Sequence, residues 1–295
     1  MLKVGIIGST EHSQEITTAF QQLSGKFRLI GNFDASNFTP SEEEKLSLRT
    51  FIQKTDCLFF SDEKSSTISN ILLAVKALKP IFIHSPQLLK STDIKSLLKV
   101  AEEANVKIQL ENKWWFHPAF LAVREEINRP SFIELKQNFK TSVAFPSNLI
   151  FSALNTVQLL AKSKIKKSSA SVHSIANLTI DVVNIQLEFE NGCVANVQLS
   201  QLPLDAENKL TIYQKGKTFS LDFLKNDVFH SDFEIRNSNR KTIISEEKSI
   251  LNELSNFYQN ILSDKNPVVS FEDGIETLNL ANKIKERFQQ FSYSL

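Results

Sequence analysis

Over its first 110 residues the chain alternates short apolar runs with amphipathic stretches, and this alternation limits the fold more than any other feature. The runs fall at residues 4–7, 27–31, 57–60, 81–83 and 106–110. Apolar runs that lack a polar face suit strands buried on both sides, the condition of a parallel sheet covered by helices. Between the runs, Ile16, Ala19, Phe20 and Leu23 share one helical face, as do Ile94, Leu97, Leu98, Ala101 and Ala104. Thr39, Pro40 and Glu42 predict the start of another helix, a capping box with proline at the first helical position.

Beyond Pro130 the pattern changes. Residues 133–139, 182–189, 194–199, 210–213 and 218–223 read as longer, partly alternating strands of an antiparallel sheet. Asn191-Gly192, between two of them, predicts a type I′ hairpin turn with positive φ at both positions. Two helices close the chain, one carrying Ile250, Leu254, Phe257 and Ile261, the other opening at Ser270 and carrying Ile275, Leu278, Ala281, Ile284 and Phe288. A chain of 295 residues exceeds one typical domain. The expected class is α/β: a doubly wound parallel-sheet domain over residues 1–118, with the closing helix 271–291 packing back on it, then an α+β domain over 119–295 with a mainly antiparallel open sheet.

Charge narrows the partners. A net charge of +1 gives no field to attract nucleic acid or an anionic membrane, so neither is expected. Lys162, Lys164, Lys166 and Lys167 read as solvated cations at a helix C-terminus. No apolar run approaches the roughly 18 residues of a membrane span, and residues 1–8 read as a first strand, not a signal-peptide core, which predicts a cytoplasmic location. Cys57 and Cys193 suggest neither pairing nor metal ligation, and no metal is expected.

Several segments, taken in order, carry a family resemblance. They are KVGIIG at 3–8, AVKALKPIFIHSP at 74–86, WFHP at 115–118, LEFENG at 187–192, and the stretch 252–286 with Phe257, Asn266-Pro267 and Phe271-Glu272-Asp273-Gly274. Over essentially its whole length the chain resembles the glucose-fructose oxidoreductase, inositol dehydrogenase and rhizopine-catabolism family, written Gfo/Idh/MocA. The resemblance implies an N-terminal Rossmann domain that binds NAD or NADP, and a C-terminal open sheet whose outer face makes a homodimer. It also implies a longer chain for an active member, the missing length falling in loops around the active site.

The dinucleotide fingerprint Gly-x-Gly-x-x-Gly uses its glycines for the turn, for close approach of pyrophosphate and for helix packing. Here the same stretch reads Gly8-Ser9-Thr10-Glu11-His12-Ser13, with the first glycine alone retained. Thr10 sets a β-branched side chain where backbone should meet phosphate, and Glu11 adds negative charge beside an anion site. Asp34, at the end of the second strand, is placed to accept from the adenosine ribose hydroxyls and to disfavour a 2′-phosphate, so NAD is expected over NADP in a weakened site. By the resemblance, Ser61 and Asp62 after the third strand complete the cofactor site, with Asp62-Glu63 standing where the family carries Thr-Pro. Seven glycines are about 2% of the chain, against a usual share of about 7%. Tight backbone-lined ligand loops are therefore few.

Hydride transfer at an alcohol carbon needs a group to take the hydroxyl proton. The resemblance assigns that work to the Lys of a Glu-Lys-Pro motif and to an Asp and a His on a later helix. The matching residues are His84-Ser85-Pro86, with Ser85 in the lysine place, and Phe151, Ala153 and Asn155 in the Asp, Gly and His places. Neither serine, phenylalanine nor asparagine exchanges a proton near neutral pH. A slip of one residue puts Ser152 in the Asp place and changes nothing. His84, at the C-terminal end of the fourth strand, is the one candidate acid or base. His117 before Pro118 reads as structural, and Trp114, Trp115 and Phe116 as packing, with a sugar-stacking platform as the sharper reading of the Trp pair.

The expected function is a catalytically degenerate homologue that binds NAD weakly and acts as a nucleotide-binding, regulatory or structural protein. Two alternatives stay open: an active NAD-dependent oxidoreductase on a sugar-like or carbonyl substrate that uses His84 in a rearranged cleft, and a structural subunit with no small ligand.

Overall fold

The computed structural model describes residues 1–34, 42–62, 65–84, 91–139, 147–175, 181–202, 204–245 and 248–292. Thr39, Pro40, Glu63, Ser85 and Pro86 lie outside the described residues. The chain divides into two units, Met1–Glu111 with Ile250–Asn279, and Asn112–Ser249 with Leu280–Leu295.

The first unit runs β1 (Leu2–Ile7), α1 (Thr10–Gln22), β2 (Phe27–Phe33), α2 (Glu42–Gln53), β3 (Cys57–Phe60), α3 (Ile68–Lys76), β4 (Ile81–Ile83), α4 (Ser91–Glu103) and β5 (Ile108–Leu110). All neighbouring strands are parallel, in the order β2-β1-β3-β4-β5. Each apolar run has become a strand; β3 and β4 are buried along their whole length and leave no polar position, whereas β2, at the sheet edge, keeps Arg28 and Asn32 exposed. The core is aromatic. Phe20 of α1 meets Phe27 edge-on at 5.2 Å and Phe59 at 5.7 Å, and Phe59 stacks on Phe82 at 4.8 Å.

The second unit holds α5 (Pro118–Leu121), β6 (Phe132–Asn138), α6 (Ser147–Ala161), β7 (Ile165–His173), β8 (Val182–Phe189), β9 (Val194–Ser200), β10 (Glu207–Gln214), β11 (Lys217–Asp222), β12 (Asp227–Asp232) and β13 (Asn237–Thr242). Its sheet order is β13-β12-β11-β10-β6-β9-β8-β7, antiparallel throughout except for the parallel pair β6–β9. Ile133, Leu135, Ile185, Leu187, Val197 and Leu199 turn to the buried face, while Lys136, Asn184, Gln186, Asn196 and Gln198 are exposed. The period of two sets that division.

Two helices follow, α7 (Ser249–Ser263) and α8 (Phe271–Ser292). Although α7 comes late in the chain, its Leu254 and Phe257 complete the first unit's core, with Phe257 edge-on to Phe82 at 5.6 Å. The Lys26 ammonium donates to the Ser255 hydroxyl at 2.8 Å. Val269 accepts from the Leu110 N–H at 2.9 Å, extending the edge of β5. Ser270 caps α8 as the sequence predicts, its hydroxyl accepting from the Asp273 N–H at 3.0 Å.

Three local readings change. Asn191 does not take positive φ; Gly192 alone does, at 86°, and the Gly192 N–H donates to the Phe189 carbonyl at 3.0 Å. The hairpin is thus a type I turn closed by a left-handed glycine instead of a type I′ turn. Asn191 is held by its side chain, which donates to the Ala161 carbonyl at 2.8 Å at the end of α6 and accepts from the Cys193 N–H at 3.1 Å. The lysine cluster is solvated as expected but only begins at a helix end: Lys162, at φ 50°, closes α6 with its N–H donating to the Gln158 carbonyl at 3.0 Å, whereas Lys166 and Lys167 lie on the edge strand β7. Charges there oppose pairing with another sheet. Finally, β12 and β13 add strands that sequence reading passed over, because Asn237–Thr242 is exposed at every residue and shows no apolar alternation.

Candidate functional site

In the first unit β1 lies between β2 and β3, so the strand order reverses direction at β1. Open α/β sheets take ligands outside the C-terminal ends of their strands at such a switch point. Parallel register sets Ile7 beside Phe60, which brings Gly8 next to Ser61. The Ser61 N–H donates to the Ile7 carbonyl at 3.0 Å, and the Gly8 N–H to the Phe33 carbonyl at 2.9 Å. A Cβ on Gly8 would fall 1.9 Å from Ser61 Oγ and 2.7 Å from Asp62 Oδ2, so this position admits glycine alone.

Asp62 joins two loops. One carboxylate oxygen accepts from the Ser9 N–H at 2.6 Å and the other from the Ser65 N–H at 2.7 Å. Its carbonyl accepts from the Ser65 and Ser66 hydroxyls at 3.0 and 2.7 Å. Burial pushes the carboxyl pKa up, but the hydrogen bonds from Ser9 and Ser65 outweigh that and hold it below the usual carboxylate value. The group is an anion at neutral pH. Ser9 is the N-cap of α1, with φ −68° and ψ 148°, and its own side chain makes no capping bond. Asp34 follows the end of β2. Thr10 and Glu11 form the first residues of α1.

Farther along the same sheet edge, register sets Ile83 beside Leu110, so the residues that follow, His84 and Glu111, are neighbours. The His84 N–H donates to the Phe60 carbonyl and the Glu111 N–H to the Ile83 carbonyl, each at 2.9 Å. His84 Nδ1 stands 3.4 Å from Glu111 Oε2, an ion-pair separation without hydrogen-bond geometry. The imidazole is 30% exposed and Glu111 13%.

The second unit contains the other matched positions. Phe151 is 1% exposed and Asn155 1%, both on α6. Asn112 Oδ1 accepts from the Trp115 N–H at 3.1 Å, which fixes its amide orientation and makes its Nδ2 the donor to Asn155 Oδ1 at 2.9 Å. The Thr156 hydroxyl is shared between Asn112 Oδ1 at 3.0 Å and the Ser152 carbonyl at 2.8 Å. Asn155 Nδ2 is left as a buried donor with no hydrogen-bond partner. This network can orient and donate hydrogen bonds, but it contains no group that titrates near neutral pH. Trp114 is 1% exposed and donates to Asn208 Oδ1 at 3.1 Å, while Trp115 is 8% exposed and packs on Phe120 at 4.9 Å. Burial leaves neither ring a free face, which removes the sugar platform. His117 is structural: its Nδ1 accepts from the Ala119 N–H at 3.2 Å at the start of α5.

No protein-family model matches the chain, and no curated protein matches it in sequence. Solved structures do match. Over 99% of both chains it superposes with TM-score 0.81 and 17% identity on the UDP-N-acetylglucosamine 3-dehydrogenase GnnA from Acidithiobacillus ferrooxidans. A dehydrogenase (MviM) from Clostridium difficile matches with TM-score 0.80 and 17% identity over 97% of this chain and 99% of that one. An oxidoreductase from Agrobacterium radiobacter in complex with NAD+, L-tartaric acid and magnesium matches with TM-score 0.79 and 15% identity, over 98% and 96%. The chain has the Gfo/Idh/MocA fold. Coverage of 99% on both sides also corrects one expectation, since the chain is not shortened against GnnA. Within this fold, one residue and one contact went unread in the sequence. Glu111 was detectable as a carboxylate one residue past the fifth apolar run, in register with His84. The reach of Asp62 to Ser9 had no local signal, since 53 residues separate them. Among the described residues no group of three or more His, Cys, Asp or Glu is arranged to hold a metal, and no helix is long and apolar enough to cross a membrane.

Proposed function

We propose that this chain is an oxidoreductase-fold protein that works by binding, with NAD or a related nucleotide as ligand and a regulatory or structural role, and that it does not carry out the hydride chemistry of its fold relatives. The observation that carries this reading is Asn155: the residue matched to the family histidine is a buried carboxamide that accepts from the Asn112 amide at 2.9 Å and transfers no proton. Phe151, matched to the family aspartate, and Ser85, matched to the family lysine, agree with it. Asp34 favours NAD over NADP. The exposed polar row on the second sheet, with Asn184, Gln186, Asn196 and Gln198, is the face on which we place a homodimer contact. We assign the protein to the cytoplasm.

The test is titration with NADH and NADPH, read by fluorescence and thermal melting, since a ligand that binds only the native state raises its stability. A larger melting shift with NADH, and no NADH consumption across a panel of sugars and aldehydes, is the expected result. Turnover with any of them would refute the non-catalytic reading.

One observation supports a second reading, an active NAD-dependent oxidoreductase on a sugar-like or carbonyl substrate. His84 and Glu111 place an imidazole nitrogen 3.4 Å from a carboxylate oxygen at the ligand-binding edge of the sheet, close enough for the two to act together on a bound substrate. It requires turnover that falls about a hundredfold or more in His84→Ala.

A further inference from the structure

The carboxylate of Asp62 lies where a dinucleotide would bring its own negative charge. At the start of α1 the free N–H groups and the positive end of the helix dipole favour an anion. That place is already served. Asp62 Oδ2 accepts from the N-cap amide of Ser9 at 2.6 Å and occupies the space beside Gly8, where a Cβ would come within 2.7 Å of it. The second oxygen is fixed by the Ser65 N–H, and the residue is only 8% exposed. Its carbonyl is pinned by two serine hydroxyls, so the side chain is braced from both ends.

We infer that Asp62 is a specificity-determining residue, a built-in anion that holds the Ser9 amide and selects against ligands placing a diphosphate at the switch point between β1 and β3. The weakness of this unit toward dinucleotides therefore resides in a carboxylate contributed by the β3–α3 loop, separately from the lost fingerprint glycines. A ligand with a neutral group at that point meets no such repulsion. The inference rests on the reading that the first unit accepts a nucleotide at all.

The experiment compares the full chain with Asp62→Asn, which keeps the size and an acceptor oxygen while removing the charge. Calorimetric titration uses ADP, NADH and adenosine as probes. The expected result is an affinity gain of about tenfold or more for ADP and NADH, equivalent to about 1.4 kcal/mol, with adenosine changing by less than about twofold. An equal change for ADP and adenosine, or no change for either, would overturn the inference. Parent binding to ADP without a gain in the variant would sink the inference and leave the nucleotide reading standing. Binding by the variant alone would do the reverse.

A second arm needs no nucleotide. In Asp62→Ala the vacated amide site should accept inorganic phosphate, so millimolar phosphate should raise the variant's melting temperature and leave the parent's unchanged. Equal response of the two proteins would count against Asp62 as the occupant, including where Asp62→Asn fails to fold.

Discussion

The carboxylate of Asp62 accepts N–H groups from residues 53 positions before it and 3 positions after it, so its removal strips two loops of one charged acceptor. Hydrogen bonds to charged groups contribute about 1.5–3 kcal/mol each way of counting, and Asp62→Ala should lower unfolding stability by about that amount in urea titrations. Acid should do the same gradually. Because the folded pKa lies below the unfolded one, the contribution is complete above the ordinary aspartate value of about 3.9 and disappears as pH falls through the lower folded value. Asp62→Asn should therefore show a flatter loss of stability than the parent over that acid range. The two thiols give a simpler check. Burial pushes Cys193 up to about 11 and Cys57 higher still, so both stay protonated at neutral pH. Neither should react with an alkylating reagent until denaturant is added. At this scale residue type alone fixes what Phe151 and Asn155 can do chemically, since neither titrates near neutral pH. The sequence was unreadable where a role depends on distance in space, because nothing local to Asp62 specifies Ser9 as its partner.

Elements were legible in proportion to how strongly burial patterned them. Strands β3 and β4 stood out as unbroken apolar runs, whereas β13 is exposed throughout and β12 mostly exposed or half-buried, so neither leaves a periodic trace. The same contrast predicts dynamics. β13 is paired along one side only, while β6 is paired with β10 on one side and β9 on the other. Hydrogen exchange should find β13 amides exchanging orders of magnitude faster than those of β6. The turn at Gly192 was misread because Asn-Gly suits two turn types, and a side-chain bond to the end of α6 decided between them. His117 was legible, since a residue ahead of proline is kept out of the helical region. As the cap of α5 it needs an unprotonated Nδ1, and burial lowers its pKa although a backbone hydrogen bond with Phe223 pulls the other way. Its contribution is present above the ordinary histidine value of about 6.5 and is lost as pH falls through the lower folded value. His117→Ala should cost about 0.5–2 kcal/mol in thermal melts, with His117→Asn recovering most of it.

For the whole molecule, the alternation of runs in the first 110 residues was enough to read a parallel sheet, but it did not reveal what completes that sheet's core. Leu254 and Phe257 come from α7, and their apolar spacing announces a helix without saying which surface it covers. Phe257→Ala should cost about 3–5 kcal/mol by urea unfolding, the loss expected for a large buried aromatic side chain. A fragment of residues 1–118 lacks both side chains, exposes Phe82 and Phe27, and should aggregate or melt without a cooperative transition, which calorimetry would detect. That discontinuity has a consequence during synthesis. A ribosome makes the five strands of the first unit early, but the residues that seal them emerge only after the entire second sheet has been made. For most of that interval the nascent sheet carries an unsealed aromatic surface, so the first unit depends on shielding until residues 250–279 have been made.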